Sequence, residues 1–260
     1  MNSISSTDLI SLELKDKIAW FTINRPPLNI LDLPVLRQFD RLLNTSEIHE
    51  KSQVLVIRGA GEKAFSAGVD IKDHAVNKVS ETLPLFHQIL VKLKNFPITT
   101  LAAVHGMALG GGLELAMACD LVIAETGTKL GQPEINAGCF PPAAAALLPD
   151  LIGAKRTYEM VVLGSILTAE QGFQYGIVNE VVPVGKLMDK VNEWCEKILE
   201  KSKVVVGLAK EAVNFSTGLS FSSALENAED LYLNRLTKTE DSEEGIRAFL
   251  EKRKPIWKGC

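Results

Sequence analysis

Cysteine, histidine and aromatic residues are all scarce in this 260-residue chain: four, four and 6% respectively. Cys119, Cys139, Cys195 and Cys260 form no CxxC pair, and His49, His74, His87 and His105 are not spaced as a ligand set. That pattern argues against a structural metal and against a disulfide framework, and it fits reduced thiols in a cytoplasm. Positive charge is not in excess either. Twenty-eight Lys and Arg against 32 Asp and Glu give a formal net charge of -4, which leaves no basic footprint for nucleic acid. No uncharged apolar run reaches the roughly 18 residues that a membrane span needs. Met1 to Thr7 carry neither a basic start nor an apolar stretch of the secretory kind. GxxxxGK[ST] is absent, and the glycine run at 110–112 is not GxGxxG, so nucleotide-phosphate cradles fit poorly. These absences predict a cytoplasmic globular protein with no nucleic acid, membrane or metal among its partners.

What is present is an ordinary globular balance, 46% hydrophobic and 23% charged, without low-complexity segments or a convincing repeat. Ile10–Leu14 and Ile18–Ile23 are β-prone runs around Lys15-Asp16-Lys17, a hairpin. Pro34 suits the first turn of a helix through Leu36, Phe39, Leu42 and Leu43. Val54–Arg58, Thr99–Val104, Asp120–Ala124 and Val178–Val182 read as short buried strands, and residues 82–96 as a helix. Strand and helix alternating in this way mean an α/β fold with right-handed crossovers. After Pro183 the pattern is helical: Lys186–Glu200, Val204–Phe215, Phe221–Leu236 and Asp241–Lys252. The expected division is an α/β core over 1–183 and a helical region over 184–260.

Two glutamates stand out. Glu114 follows Gly110-Gly111-Gly112 within an apolar run to Cys119, and Glu134 closes the turn Lys129-Leu-Gly-Gln-Pro-Glu134. A carboxylate among apolar neighbours is costly unless paired, bonded or protonated, so it commonly has a task. The glycines leave backbone N–H groups open to a substrate oxygen, and a helix starting near Gly112 would add its dipole. On spacing alone the run serves equally as a tight strand-to-helix turn. Asp70, after Lys63-Ala-Phe-Ser-Ala-Gly-Val69, reads as a cap on a helix toward His74 or as part of a plain capped loop, the residues alone favouring the loop. His105, Cys119 and Cys139 read as packing residues, the two cysteines as small buried apolar groups. Lys252, Arg253, Lys254 and Lys258 form a basic helix end.

Taken together, Ala64–Lys72, His105-Gly with Gly110–Asp120, and Gly131-Gln-Pro-Glu134 resemble the crotonase superfamily, the enoyl-CoA hydratase and isomerase group. The likeness covers nearly the whole chain, to Phe249-Leu-Glu-Lys-Arg-Lys254. It implies a ββα spiral core with a helical C-terminal trimerisation part, assembled as a homotrimer or a dimer of trimers. It implies that the Val69 and Gly111 amides form an oxyanion hole and that Glu114 and Glu134 are the catalytic acid/base pair. Family isomerases often keep only the carboxylate matching Glu134, so retention of both favours water addition. Leu28, Asp70, Ile71, Lys72 and Lys252 match positions along the CoA arm. The implied substrate is an acyl-CoA thioester, and no cofactor beyond that CoA is implied.

The chain departs from ordinary hydratases after Glu134. Phe140-Pro141-Pro142 stands where a flexible glycine run is usual, and the altered segment is similar to that of cyclic dienoyl-CoA hydratases of anaerobic aromatic degradation. Two readings stay open: a rigid acyl pocket shaped for a ring, or Pro141 simply starting the next helix. Rival activities on the same scaffold are double-bond isomerisation and thioester hydrolysis. A rival of another class is a non-catalytic RNA-binding or assembly protein, which the net charge opposes.

Overall fold

The computed structural model describes residues 9–74 and 76–260, so the Met1–Thr7 segment lies outside the described residues. The expected hairpin forms from β1 (Ile10–Lys15) and β2 (Ile18–Ile23). Its link is two residues, Asp16 and Lys17, with φ of 51° and 62°. Positive φ at both positions gives a turn whose twist matches that of the strands it joins. Pro34 falls in the first turn of α1 (Leu33–Leu43), and Asp32 caps that helix by accepting the Val35 N–H at 3.2 Å. The short α2 (Ser46–Lys51) follows, a single polar turn and a half with no periodic signal to announce it.

β3 (Val54–Gly59), α3 (Val76–Lys94) and β4 (Thr99–Val104) continue the α/β alternation, with α3 starting at Val76 rather than 82. β5 (Met107–Leu109) leads into α4 (Gly111–Met117), then β6 (Leu121–Glu125) and β7 (Lys129–Gly131). Beyond them lie α5 (Pro142–Leu163), β8 (Ile166–Thr168), α6 (Ala169–Tyr175) and β9 (Glu180–Val182). A six-stranded sheet runs in the order β1-β2-β3-β4-β6-β9, parallel except for the β1–β2 pair. Phe21, Ile57, Ala102 and Val122 lie side by side across it and face a core completed by Phe39, Phe86 and Ala144. Their alternates Trp20, Val56 and Leu101 face the other way, onto Leu187, Val191 and Cys195 of α7 (Leu187–Leu199). Period-two alternation between two covered faces is why these strands read as unbroken apolar runs.

A second sheet, β5-β7-β8, is made of three-residue strands. The segment Lys129–Glu134, read above as a turn, is therefore β7 followed by a 3₁₀ turn over Pro133–Ala137. Three residues are too few to carry a periodic signature. The C-terminal helices α8 (Lys203–Ser216), α9 (Phe221–Asn234) and α10 (Glu240–Leu250) fall within two residues of expectation at each end. Lys210 of α8 ties this part to the sheet, its Nζ 2.7 Å from Asp120 Oδ2 and 3.1 Å from the Ile98 carbonyl.

Candidate active site

Ser66 is the anchor from which the site is built. It bridges to Ala108 of β5: its N–H donates to Met107 O at 3.2 Å and its carbonyl accepts Leu109 N at 3.1 Å. Its buried hydroxyl donates to Asn29 O at 2.8 Å and accepts the Gly68 N–H at 3.1 Å. Leu31 N donates to Gly68 O at 2.9 Å in a parallel bridge centred on Val69, so the bridge bonds come from the residues flanking Val69 and its own amide turns the other way. Gly68 has φ of 96°, and a Cβ there would sit 2.7 Å from Leu109 O, so only glycine lets the two segments close. They do close. The Cβ position of Gly111 lies 3.3 Å from Val69 N, and that of Gly68 lies 3.0 Å from Gly111 N. The two residues whose amides are expected to converge thus lie side by side, Val69 at an isolated bridge and Gly111 at the first turn of α4.

Glu114 projects from α4 and is only 4% exposed. Its Oε1 accepts the Ala144 N–H at 2.7 Å, in the first turn of α5. Burial pushes its pKa from an ordinary 4.5 up to about 7; the Ala144 N–H opposes that rise, and the nearby Glu134 charge adds to it. Glu134 sits half-buried on the 3₁₀ turn after β7, against Gly110: a Cβ on Gly110, whose φ is 52°, would collide with Glu134 Oε1. The fully buried Gln132 sets its amide end 3.2 Å from each oxygen of this carboxylate, and assigning the NH₂ to that side satisfies both groups.

Glu114, Glu134, Gly110, Gly111 and Val69 all open on one cavity of about 470 Å³. That volume lies within the range of small-ligand sites. Phe140, Pro141 and Pro142 form part of its wall, and the next helix starts at Pro142, with Pro141 at its cap position. Phe140 is 65% exposed at the rim. Ile71 reaches the same rim, while Lys72 is exposed and Asp70 Oδ1 accepts the Lys72 N–H at 2.9 Å at the start of a single 3₁₀ turn, Ile71–His74. Leu28 sets its carbonyl against Ala67 N at 2.9 Å, beside the site loop but outside the cavity lining. Lys252, exposed at the end of α10 with φ of 54°, is likewise not among the residues that line the cavity.

Some of the wall went unread in the sequence. Asp73, Val79, Thr82, Leu83 and Phe86 complete it from the 3₁₀ turn and α3, where the apolar spacing had signalled only a packed helix. Cys139 corrects an expectation: it is half-buried and lines the cavity, whereas Cys119 is buried as expected, its thiol pushed up to about 12 by desolvation. His105 is not in the lining; its carbonyl accepts Phe65 N at 2.9 Å and burial lowers its pKa. No cluster of three or more His, Cys, Asp or Glu suited to a metal occurs among the described residues. None of their helices is long and apolar enough to cross a membrane.

Val69, Gly111 and the two glutamates thus share one cavity of an α/β fold. The chain belongs to the enoyl-CoA hydratase/isomerase family, which it matches over residues 13–260. It is 34% identical over 256 residues to a probable enoyl-CoA hydratase of Bacillus subtilis, covering 96% of this chain and 98% of that one. It is 34% identical over 252 residues to a short-chain-enoyl-CoA hydratase of Clostridium acetobutylicum, covering 94% and 95%. A crystal structure of enoyl-CoA hydratase from Bacillus anthracis superposes with a TM-score of 0.91 at 33% identity, over 97% of this chain and all of that one.

Proposed function

We propose that this chain is a hydro-lyase that adds water to an unsaturated acyl-CoA thioester, with a cyclic dienoyl-CoA as the preferred acyl class. The observation that carries the reading is the shared cavity onto which Val69, Gly111, Glu114 and Glu134 open. In this reading the Val69 and Gly111 amides hold the thioester oxygen. Polarising that carbonyl makes the conjugated carbon electrophilic and stabilises the enolate charge that forms as water attacks. Glu114 and Glu134 hold the water between them; one takes its proton and the other delivers a proton to carbon. A Glu114 pKa near 7 supports this, since acid and base forms are then both populated at neutral pH. The oxyanion hole supplies the electron withdrawal, so the mechanism calls on no further cofactor. Leu28, Asp70, Ile71 and Lys72 would flank the pantetheine arm, and Lys252 would meet the CoA phosphates of a neighbouring protomer in a trimer or a dimer of trimers.

The ring preference rests on Phe140-Pro141-Pro142. Two prolines fix φ beside an aromatic rim, giving a preformed wall where a glycine run would give a pliable one. Water would then add 1,4 across the diene, and its proton would go farther from the carbonyl. The test is a panel of straight-chain and cyclic unsaturated acyl-CoA thioesters in ¹⁸O-water, with product mass and free thiol read together. Hydration is expected to incorporate one ¹⁸O with CoA retained, fastest for the cyclic diene. A shifted double bond without ¹⁸O, or release of free CoA thiol, would replace hydration by isomerisation or hydrolysis. Faster turnover of a straight-chain ester would remove the ring preference alone.

A further inference from the structure

The catalytic cavity lies beyond the C-terminal ends of β3 and β5; a different pocket lies at the opposite, N-terminal edge of the parallel strands. It encloses about 200 Å³ and is lined by lysines from four separate segments: Lys17, Lys51, Lys201 with Lys203, and Lys258. One buried residue, Gln53, assembles three of those segments. Its N–H donates to Lys17 O at 2.8 Å, and its side-chain amide donates to Ile198 O at 2.9 Å and Lys201 O at 2.8 Å. The fourth is pinned by Trp257, whose Nε1 donates to Glu200 O at 2.8 Å. The lysines therefore meet because their backbones are locked, not because loose side chains drift together.

Their charges are only partly answered. Lys51 pairs with Glu47 and Lys258 with Glu240, and Glu50 is the one carboxylate in the described wall. Lys17, Lys201 and Lys203 have no ion pair among the described residues. Lys203 donates to the His49 carbonyl, and burial together with the Lys17 charge lowers its pKa, so the two ammonium groups feel each other. Lys203 also begins α8, whose first-turn N–H groups add positive potential at the same place. Ser52, 2% exposed, closes the wall with a hydroxyl that has no partner. In a chain of net charge -4, a rigid pocket that holds like charges together keeps a local positive potential that favours an anion.

We propose that this pocket is an anion site for a phosphate group, separate from the catalytic cavity and independent of the reaction assigned to it. Lysine ammonium groups serve phosphate as point charges. A volume of about 200 Å³ suits a phosphate group better than a whole nucleotide, since sites for larger ligands run from about 300 Å³ upward.

The full chain is melted in sodium phosphate and in sodium chloride at matched ionic strength. Phosphate is expected to raise Tm saturably beyond chloride, because it binds the folded state alone. In a Lys17→Met/Lys203→Met variant, which keeps the apolar stems, that extra rise should vanish or need at least ~10-fold more phosphate, since two charged contacts are gone. Without phosphate Lys17→Met alone, which gives up no side-chain hydrogen bond among the described residues, should melt no lower than its parent, an outcome that a purely structural lysine would not give. Lys201→Met, at an exposed position, repeats the test should the double variant not fold. Adenosine 3′,5′-bisphosphate, run in parallel, assigns the source: a stronger response than inorganic phosphate points to a nucleotide's phosphate, an equal or weaker one to the free ion. A phosphate effect no larger than that of chloride, or one undiminished in the variants, overturns the proposal.

Discussion

At the C-terminal end of the central sheet Glu114 lies under apolar cover, its Oε1 accepting the Ala144 N–H. At the N-terminal end several lysines crowd one pocket but keep their heads near water. The first arrangement is expensive for the fold, because desolvation favours the neutral acid over the charge. The second costs little, since solvent screens like charges that it can reach. The difference shows where this chain accepts instability: at the cavity whose chemistry needs a proton donor and acceptor, and not where it only gathers charge.

Breaking the costly end gives the largest effects. Glu114→Gln and Glu134→Gln keep side-chain volume and polarity but can neither take up nor release the proton. Each is expected to lower turnover by about 10²–10⁴-fold while CoA-ester affinity stays within a few-fold. Stopped-flow turnover beside equilibrium binding checks this, and unchanged turnover in both variants would end the assignment. Gly68→Ala comes next. Its Cβ would press on Leu109 O at 2.7 Å, and φ of 96° is strained for alanine, so the Val69 amide must shift. Loss of one oxyanion donor costs about 10²–10³-fold in kcat. A variant that folds with a normal melt and full activity would show that Val69 does not contact the carbonyl.

Sequence reading located this end of the molecule through motifs, and it located the sheet through burial. Strands covered on both faces, such as Val54–Gly59 and Thr99–Val104, show as continuous apolar runs and fell almost where expected. β5, β7 and β8 have three residues each and went unread, although β5 and β7 are what aim the glycine turn and Glu134. The same limit hid the far wall. Nothing in the spacing of Leu83 and Phe86 separates a helix face turned to a core from one turned to a cavity. Gln132 was hidden for a related reason: a buried amide beside a carboxylate is a tertiary contact between residues whose spacing signals nothing. The lysine pocket depends on Gln53 joining residues far apart in the chain, which no local pattern encodes.

Varying pH separates the two ends of the sheet further. The Glu114 pKa is raised from 4.5 to about 7 in the folded state, so the folded protein holds a proton that the unfolded chain has already lost. The stabilising contribution is therefore full below about pH 4.5 and disappears as pH rises through about 7. At one pKa unit per 1.36 kcal/mol, the swing is roughly 3 kcal/mol. Glu114→Gln removes it. The Tm difference between the variant and its parent should grow in the variant's favour from pH 5 to pH 8 as chemistry is lost. A gap that does not change with pH would show that Glu114 does not titrate in this range.

The smallest effect belongs to the rim. Phe140 is 65% exposed, so truncating it to alanine removes little buried surface, and surface changes of this kind stay within about 0.5 kcal/mol of stability. Its ring lines the same cavity as the two glutamates, so what it can alter is the fit of an acyl group. One side of a hydrophobic pocket is worth about 10-fold to 200-fold in discrimination, and an exposed ring belongs at the low end of that range. Phe140→Ala should therefore leave the melt in place and reduce the ratio of kcat/KM for cyclic over straight-chain esters by about 10-fold. Because Pro141 and Pro142 remain, a ratio that holds would move the ring preference from the aromatic rim to the proline-fixed backbone behind it. A ratio that falls together with the straight-chain rate would instead mean that Phe140 orients every acyl chain alike.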